Sequence, residues 1–287
     1  MIAASPKLVA VGDNCLDVYL TKDAMTVGGN ALNVAVHWRR AGIAARYFGA
    51  VGRDGEGDVV LDEIARAGLA PTDVERRAGP TAVTLLRERL GDRQIVLEDL
   101  GVGQDYMPCD AHYRTIAAAD WVHLGTNAYL GLVRRLIADR VPFSIDVSTA
   151  HSALPLQGVP IVFASGPDDP GTPVAPLIDR LRQAGASAAV VTCGSRGAYF
   201  SDGGAVLHAP ARAVSVVDTC GAGDSFIASF LAAFRGERRP AAEALRTATA
   251  DAARTCMHVG GFPQAPRAIP TWLLEKYAGA IGAAERA

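Results

Sequence analysis

An aspartate directly behind a glycine-rich turn is the residue of this chain best placed to do chemistry. Asp224 follows Gly221, Ala222 and Gly223, and an amphipathic helix pattern begins at once behind them. Backbone N–H groups and the positive end of a helix dipole make such a turn a site for an anion. A bound phosphate would repel a carboxylate at this position, so a carboxylate there indicates a functional role. Accepting the proton of a hydroxyl that attacks the phosphate is a role that fits. The segment therefore predicts phosphoryl transfer to an alcohol.

The same turn also has a simpler interpretation, an ordinary turn with an N-terminal cap on the following helix. An apolar, strand-like run over Ala213–Val217 leads into the turn. The whole run Asp218–Asp224 matches a known signature, which a bare Gly-x-Gly-Asp would not. We therefore favour the anion site.

Two further carboxylates follow the first predicted strand, Leu8–Val11. Open α/β sheets bind ligands at the carboxyl ends of their strands, so Asp13 and Asp17 are candidates for contact with sugar hydroxyls. The alternative for Asp13 is a turn or capping residue.

A second glycine-rich segment opens the next predicted helix. Gly28 and Gly29 allow a ligand to approach the backbone closely. Asn30 and Asn33 lie about one helical turn apart, so both can face the same pocket. The alternative for Asn33 is an amide that packs between helices.

Four motifs, in this order along the chain, resemble the ribokinase-like (PfkB-type) carbohydrate kinases. Gly12–Asp17 matches the pattern after the first strand, and Gly28–Ala35 resembles the Gly-Gly-x-x-x-Asn signature that opens a helix. Val191–Gly197 resembles the Thr-x-Gly-x-x-Gly nucleotide loop, and Asp218–Asp224 resembles the C-terminal signature. Together the motifs span nearly the whole chain.

This resemblance implies an ATP-dependent sugar kinase with a three-layer α/β sandwich, a central mostly parallel sheet and a small inserted β lid. It implies Asp224 as the general base, with the amides of Gly221, Ala222 and Gly223 around the transferring phosphoryl group. Sugar contacts are implied for Asp13, Asp17, Gly28, Gly29, Asn30 and Asn33, of which Asp17 is favoured over Asp13. Nucleotide contacts are implied for Thr192, Gly194 and Gly197. The implied cofactors are Mg²⁺ with ATP and a monovalent cation such as K⁺ beside the Asp218 loop. No residue pattern decides the monovalent cation.

The chain departs from the family at the metal motif. The family has Asn-x-x-Glu near the phosphates, whereas the matching place here is Ser165–Asp168. Asp168 is the candidate that replaces the glutamate, acting through water. Its alternative is a solvent-facing loop aspartate.

Within the family, the chain resembles the fructoselysine 6-kinases. The resemblance is carried by Gly12–Tyr19, Gly28–Val36, Phe163–Ser165 and Ala222–Ala228. It implies phosphorylation of fructoselysine or a related fructosamine to its 6-phosphate, with an arginine at the pocket mouth for an amino-acid carboxylate. The alternatives are a kinase for a free ketose, ribose or nucleoside, and a non-catalytic regulatory relative. The intact run Gly221–Asp224 argues against the regulatory relative.

Alternating strands and helices predict a parallel sheet covered by helices. Predicted strands are Leu8–Val11, Ala45–Val51, Trp121–Leu124, Phe143–Asp146, Ile161–Ala164, Ala188–Thr192, Ala198–Ser201 and Ala205–Leu207. Predicted helices are Asn30–Arg40, Asp54–Ala67, Val174–Ala184, Asp224–Arg235, Pro240–Cys256 and Trp272–Ile281. We expect one domain over residues 1–287.

Two stretches interrupt the alternation. Val18–Val27 is predicted to be polar and irregular. Thr81–Leu90 and Gln94–Leu100 predict an extended hairpin with Gly91 and Asp92 at its tip. Strands inserted between βα units cannot easily join the parallel core, so they favour a small lid sheet over the mouth of the site. The alternative is an ordinary surface hairpin. We expect lid segments near residues 13–27 and 81–100, and the resemblance implies a homodimer through the lid.

Composition excludes several classes of protein. A hydrophobic content of 49% is ample for a core, and a net charge of −2 argues against nucleic acid or an anionic membrane as the main partner. Five scattered cysteines without a CxxC pair suggest neither zinc nor disulfides, and a reducing cytoplasm is the simplest location. Without a Gly-Lys-Ser/Thr triplet the chain is not a P-loop kinase, and without Gly-x-Gly-x-x-Gly after the first strand it is not a dinucleotide-binding oxidoreductase.

Overall fold

The structure, a computed structural model, describes residues 7–89, 92–152 and 155–285. The strands, in chain order, are β1 (Lys7–Val11), β2 (Cys15–Tyr19), β3 (Ala24–Gly28), β4 (Ala44–Gly52), β5 (Val74–Arg77), β6 (Val83–Arg89), β7 (Asp92–Asp99), β8 (Trp121–Leu124), β9 (Phe143–Asp146), β10 (Ile161–Ser165), β11 (Ala189–Thr192), β12 (Ala198–Ser201) and β13 (Leu207–Ala209). The helices are α1 (Asn30–Arg40), α2 (Gly55–Arg66), α3 (Asp110–Ala117), α4 (Leu130–Ala138), α5 (Ala175–Gln183), α6 (Ala222–Leu231), α7 (Ala241–Thr255), α8 (Thr271–Lys276) and α9 (Ala278–Glu285). The bounds of α1, β8, β9 and β12 are those predicted.

The larger sheet has nine strands in the order β13-β12-β11-β10-β9-β8-β1-β4-β5. The strands from β11 to β5 are parallel, and β12 and β13 add an antiparallel edge. Successive residues of a strand face opposite sides, so Leu8 and Ala10 join one buried cluster while Val9 and Val11 join the other. Helices α1, α2, α6 and α7 pack into the first cluster, and α3, α4 and α5 into the second. The chain thus forms the predicted three-layer α/β sandwich.

A smaller sheet of four strands, in the order β3-β2-β6-β7, comes from the two predicted lid segments. The prediction of an irregular stretch over Val18–Val27 is wrong, because β2 and β3 form an antiparallel hairpin there. Val18 and Val27 are buried, and the turn passes through Asp23 in the left-handed region, with φ +45°. The predicted tip residue Gly91 lies outside the described residues.

The segment 258–267 closes one edge of the smaller sheet. Met25 and Arg267 exchange two backbone hydrogen bonds of 2.8 and 3.0 Å. The side-chain amide of Gln264 accepts from the N–H of Val27 at 2.8 Å and donates to its carbonyl at 2.7 Å. Because β3 has partners on both sides, it cannot pair with a strand of another chain.

The predicted strand over Ala213–Val217 is wrong. These residues form no regular element, and Val216 and Val217 are 61% and 56% exposed. Pro210 directly follows β13 and has no N–H to continue the ladder, so β13 ends before the apolar run begins.

Other helix and strand boundaries moved by a few residues. The predicted strand Ala205–Leu207 lies at Leu207–Ala209, and the predicted last helix is divided into α8 and α9. Helix α6 begins at Ala222 and leads into a π turn over Ala232–Gly236. Within residues 7–89, 92–152 and 155–285, no helix is long and apolar enough to cross a membrane.

Candidate active site

The polar candidates gather at the carboxyl ends of the parallel strands. Asp13 follows β1, Thr126 follows β8, Asp146 ends β9 and Thr192 ends β11. The strand order therefore places Thr192 on one side, Asp13 on the other and Asp146 between them. This is the edge at which open α/β sheets bind ligands.

A cavity of about 230 Å³ lies between this edge and the smaller sheet. Its lining comes from the smaller sheet, the segment that follows β7, the β1 and β8 ends, the starts of α1 and α4, and the turn before α6. The lining includes Asp13, Asn14, Asp17, Asn30, Asn33, Thr84, Glu98, Asp99, Cys220 and Asp224.

Two amide groups from α1 hold the carboxylate of Asp224. Asn30 Nδ2 donates to Oδ1 and Asn33 Nδ2 to Oδ2, both at 2.6 Å. Burial raises the pKa of Asp224 to about 7; the Asn33 hydrogen bond lowers this pKa, and the nearby charge of Asp146 raises it. Asp224 is therefore fixed in orientation and poised to exchange a proton near neutral pH.

Asp146 is a functional candidate that the sequence reasoning missed. Asn30 Nδ2 donates both to Asp224 and, at 2.9 Å, to Asp146 Oδ2, so one amide bridges the two carboxylates. The other Asp146 oxygen accepts from the N–H of Ser148 at 2.8 Å, and burial raises the pKa of Asp146 to about 6. Asp146 ends a correctly predicted strand, so the rule that selected Asp13 could have found it.

The anion loop, Gly221–Asp224, has the form expected of an anion site. Gly221 is left-handed, with φ +71°, and a Cβ there would lie 2.3 Å from the Cα of Gly261. Ala222 N–H reaches the carbonyl of Thr219 at 3.3 Å. Among the described residues, no backbone carbonyl accepts from the N–H groups of Gly221, Gly223 and Asp224. These three donors at the start of α6 can hold an anion.

Two side chains fix the anion loop against the segment 258–267. Asp218 accepts the N–H groups of Cys220 and Gly260, each at 3.0 Å. His37 Nε2 lies 2.8 Å from the carbonyl of Gly261, and burial lowers the pKa of His37 to about 4. The segment contributes no motif of its own, so the sequence did not reveal its role.

Asp13 lines the cavity but has structural partners for both of its oxygens. Oδ2 accepts from Asn30 N–H at 2.7 Å and Oδ1 from Ala31 N–H at 3.1 Å. Gly29 is the N-cap residue of α1 and has no side chain to cap the helix, so Asp13 caps it from another part of the chain. This geometry favours the capping interpretation, and sugar contact by Asp13 stays a prediction.

Asp17 lies on the cavity side of the smaller sheet. It faces Thr26 on β3 and Thr84 on β6 in the strand register. A Cβ on Gly28 would lie 2.7 Å from Asp17 Oδ2, so a larger residue at this position would displace the carboxylate. Gly29 also lines the cavity.

The predicted nucleotide residues lie together on the β10–β11 side. A Cβ on Gly194 would be 2.4 Å from Asp168 Oδ1, so the predicted metal residue is beside the predicted nucleotide loop. Arg196 Nη1 donates to three backbone carbonyls of residues 167–172 and holds this loop. Thr192 ends β11 and Gly197 follows the turn. Their contacts with a nucleotide, and metal binding by the exposed Asp168, stay predictions.

Comparison with known proteins gives this site its context. The model of the pfkB family carbohydrate kinases matches residues 5–134 and 164–267. The chain belongs to this family. A fructosamine kinase of Bacillus subtilis (strain 168) is 36% identical over 269 residues, covering 89% of this chain and 93% of that protein. A fructoselysine 6-kinase of Escherichia coli (strain K12) is 31% identical over 264 residues, covering 89% and 99%. This chain is therefore a sugar kinase.

The fold agrees with solved structures of the family. The ribokinase of Arabidopsis thaliana, solved with ribose and ATP, superposes with a TM-score of 0.78 at 20% identity. The match covers 89% of this kinase and 94% of that chain. The ribokinase-like fold predicted from the motifs is thus confirmed.

The carboxylate cluster predicts the pH dependence of this kinase. If Asp224 acts as a base, kcat/KM rises with pH as Asp224 loses its proton, with a midpoint near the pKa of about 7 rather than near its usual value of 3.8. Asp146→Asn removes a neighbouring negative charge, so the pKa of Asp224 falls and the acid limb moves to lower pH. The measurement is kcat/KM from pH 5 to 9.

The matched control is Asp202→Asn, because Asp202 is exposed in the turn between β12 and β13. Its acid limb should coincide with that of the wild type. An unmoved limb in folded Asp146→Asn contradicts the coupling.

Proposed function

We propose that this kinase transfers the γ-phosphoryl group of ATP to the 6-hydroxyl of a fructosamine such as fructoselysine. The observation that carries the reaction is Asp224, held by two amides beside the three available N–H groups of the anion loop. The substrate class is supported by the fructosamine and fructoselysine kinases at 36% and 31% identity.

Asp224 acts as the general base. Its carboxylate accepts the proton of the sugar hydroxyl while the hydroxyl oxygen attacks the γ-phosphorus in line. The amides of Asn30 and Asn33 each donate to one oxygen and so fix the direction of the remaining lone pairs. Orientation of this kind supplies a large part of the rate, because the reacting groups need no further ordering.

The anion loop stabilises the charge that grows on the transferring group. The N–H groups of Gly221, Gly223 and Asp224 point away from backbone acceptors of the described residues. Such preorganised donors are worth about 10²–10³-fold each when aimed at the developing charge. Ala222 contributes less, since its N–H already has an acceptor.

The residues present fit Mg²⁺ and a nucleotide at the β10–β11 side. Asp168 is an exposed carboxylate beside Gly194, and a carboxylate oxygen is the donor type that Mg²⁺ prefers. Mg²⁺, when bound with ATP, supplies positive charge to the phosphates. Asp168 would hold it through water, and Thr192, Gly194 and Gly197 would surround the nucleotide. For K⁺, the expected place is beside Asp218, whose two oxygens here order the adjoining loops.

A homodimer through the lid would use β7. The opposite edge, β3, is already closed by Gln264 and Arg267. Ile95 on β7 is 60% exposed, which is typical of a surface that a partner covers. One domain over residues 1–287, carrying this lid, is the corresponding proposal for the domain organisation.

A substrate panel tests the proposed function. ADP release with Mg-ATP is measured for fructoselysine, a second fructosamine, fructose, ribose, adenosine and no acceptor. We expect fructoselysine or the other fructosamine to give the highest kcat/KM. A free sugar or nucleoside in first place keeps the kinase and removes the fructosamine assignment. Folded protein that binds ATP without using any acceptor favours a non-catalytic relative.

A further inference from the structure

Three side chains of metal-binding type lie together outside the active site. Among the described residues, only Glu75, Cys109 and His112 bring three histidine, cysteine or carboxylate donor atoms within 4.8 Å of one another. A group that combines sulfur, nitrogen and oxygen donors suits Zn²⁺, whereas Mg²⁺ binds through oxygen. We propose that Glu75, Cys109 and His112 form a Zn²⁺ site that ties the start of α3 to β5.

Two of the donors are neighbours because of where α3 begins. Cys109 is the N-cap of α3 and His112 is its third residue. These two positions lie side by side at the start of a helix, as they do in a capping box. The Cys109 side chain makes no capping hydrogen bond, so the helix does not use its sulfur. Glu75 comes from β5, 34 positions earlier, which is why the cysteine spacing alone suggests no zinc site.

The spacing of the nitrogen and oxygen donors fits a tetrahedral ion. Zn–N and Zn–O bonds are about 2.0–2.2 Å, so two such donors at a tetrahedral angle lie roughly 3.3–3.6 Å apart. His112 Nδ1 lies 3.4 Å from Glu75 Oε1. Among the described residues this buried nitrogen has no hydrogen-bond partner. It therefore has the spacing of a zinc ligand and no other role in the fold.

The group is open to solvent, so an ion can enter it. The side chains of Glu75 and His112 are each 20% exposed, and Cys109 is exposed. Zn–S bonds are about 2.3 Å long, so the sulfur must come within roughly 3.6 Å of the other two donors. Rotation of an exposed side chain allows this approach. On binding, the thiol gives its proton to water and the sulfur coordinates as thiolate, with water as the fourth ligand.

An outer shell orients Glu75 as a ligand. Arg77 donates to the other carboxylate oxygen, Oε2, at 2.7 and 3.1 Å and leaves Oε1 for the ion. The same guanidinium donates to the carbonyl of Met107 at 2.7 Å. Hydrogen-bonded partners of this kind fix the direction of metal ligands. The positive charge of Arg77 opposes that of the ion, so we expect weaker binding than at a structural zinc site with four protein ligands.

The zinc site is separate from the predicted Mg²⁺ site and is connected to the sugar cavity. In the larger sheet β5 lies five strands from β10, roughly 24 Å at about 4.8 Å per strand. Glu75 Oε1 also accepts from the Tyr106 hydroxyl at 3.2 Å, and Tyr106 lines the cavity. An ion on Oε1 takes the place of that hydroxyl. Bound Zn²⁺ is therefore expected to raise KM for the sugar and to leave KM for ATP unchanged.

Metal binding without any substrate is the first test. Enzyme freed of metal is titrated with Zn²⁺ against a chromophoric chelator, and separately with Co²⁺ as a spectroscopic probe. We expect one Zn²⁺ per chain and a thiolate-to-cobalt charge-transfer band. Cys109→Ser and His112→Asn are each expected to lower Zn²⁺ affinity about 100-fold or more, since loss of an outer-shell partner alone costs 10–100-fold. Cys109→Ser should also remove the cobalt band.

The matched control is Cys256→Ser. Cys256 is a partly exposed cysteine that belongs to no such group of three donors within the part of the chain that the structure describes. Its Zn²⁺ affinity and cobalt spectrum should equal those of the wild type, and the melting temperature of each variant checks folding. Absence of Zn²⁺ binding, or equal binding by folded Cys109→Ser, overturns the site.

Kinetics at a buffered concentration of free Zn²⁺ test the connection to the cavity. KM for the acceptor that the kinase uses best should rise in the wild type and stay unchanged in Cys109→Ser. An unchanged KM in the zinc-loaded wild type overturns the connection through Tyr106. The binding measurements need no acceptor, so their outcome is independent of the fructosamine assignment.

Discussion

Asp224→Asn is expected to lower kcat by about 10²–10⁴-fold, the usual contribution of a positioned general base. Asparagine has nearly the same shape and can still accept from Asn30 or Asn33, so the start of α6 should keep its fold. It cannot take a proton from the sugar hydroxyl. ATP binding should remain, because the backbone donors of the anion loop are unchanged. The measurements are kcat in steady state and ATP binding by calorimetry.

Asp202→Asn is again the control for an equivalent change at an exposed carboxylate. Its kcat should match the wild type. A near-normal kcat in Asp224→Asn, with ATP binding intact, would refute the role of Asp224 as the base. Loss of both ATP binding and turnover would instead indicate that Asp224 maintains the structure of the anion loop.

Gly221→Ala is expected to have the second largest effect. The residue is left-handed, which costs a non-glycine residue about 1–2 kcal/mol. Its new Cβ would also lie 2.3 Å from Gly261 Cα, so the loop or the segment 258–267 must move. Displacing a donor from the developing charge lowers kcat by about 10²–10³-fold. Both the melting temperature and kcat should therefore fall.

Gly223→Ala is the matched comparison for stability. A Cβ there meets no atom of the described residues within 4 Å, and the N–H is retained. Its melting temperature is expected to equal that of the wild type. If Gly221→Ala were as stable and as active as the wild type, close packing of the anion loop on Gly261 would not matter for this reaction.

Much of this site could be predicted because its parts are local. Gly221–Asp224 carries its own turn and helix start, and Asn30 and Asn33 carry the opening of α1. Strand ends in a parallel sheet meet at one edge by topology, which brings these segments together without any knowledge of their contacts. The alternation of strands and helices alone then predicts that the ligand binds at the edge formed by the carboxyl ends of the strands.

What could not be predicted depends on pairing between distant segments. Asp13 looks like a ligand residue in the sequence, and only the structure shows that its oxygens accept from α1. The bridge from Asn30 to Asp146 joins residues 116 positions apart. The exposed run Ala213–Val217 has strand composition but pairs with no strand among the described residues. In each case a tertiary partner, rather than local propensity, decides the outcome.

The closure of β3 by Gln264 also bears on how this protein is made. The two hydrogen-bonded residues, Val27 and Gln264, are 237 positions apart, so β3 leaves the ribosome long before its partner is synthesised. Contacts of such high sequence separation form late, since the closure of a long loop must precede them. During translation β3 therefore exposes an unpaired edge, and the anion loop lacks its support from Gly260 and Gly261. A nascent chain that stops short of this segment is expected to be inactive and prone to edge-to-edge association.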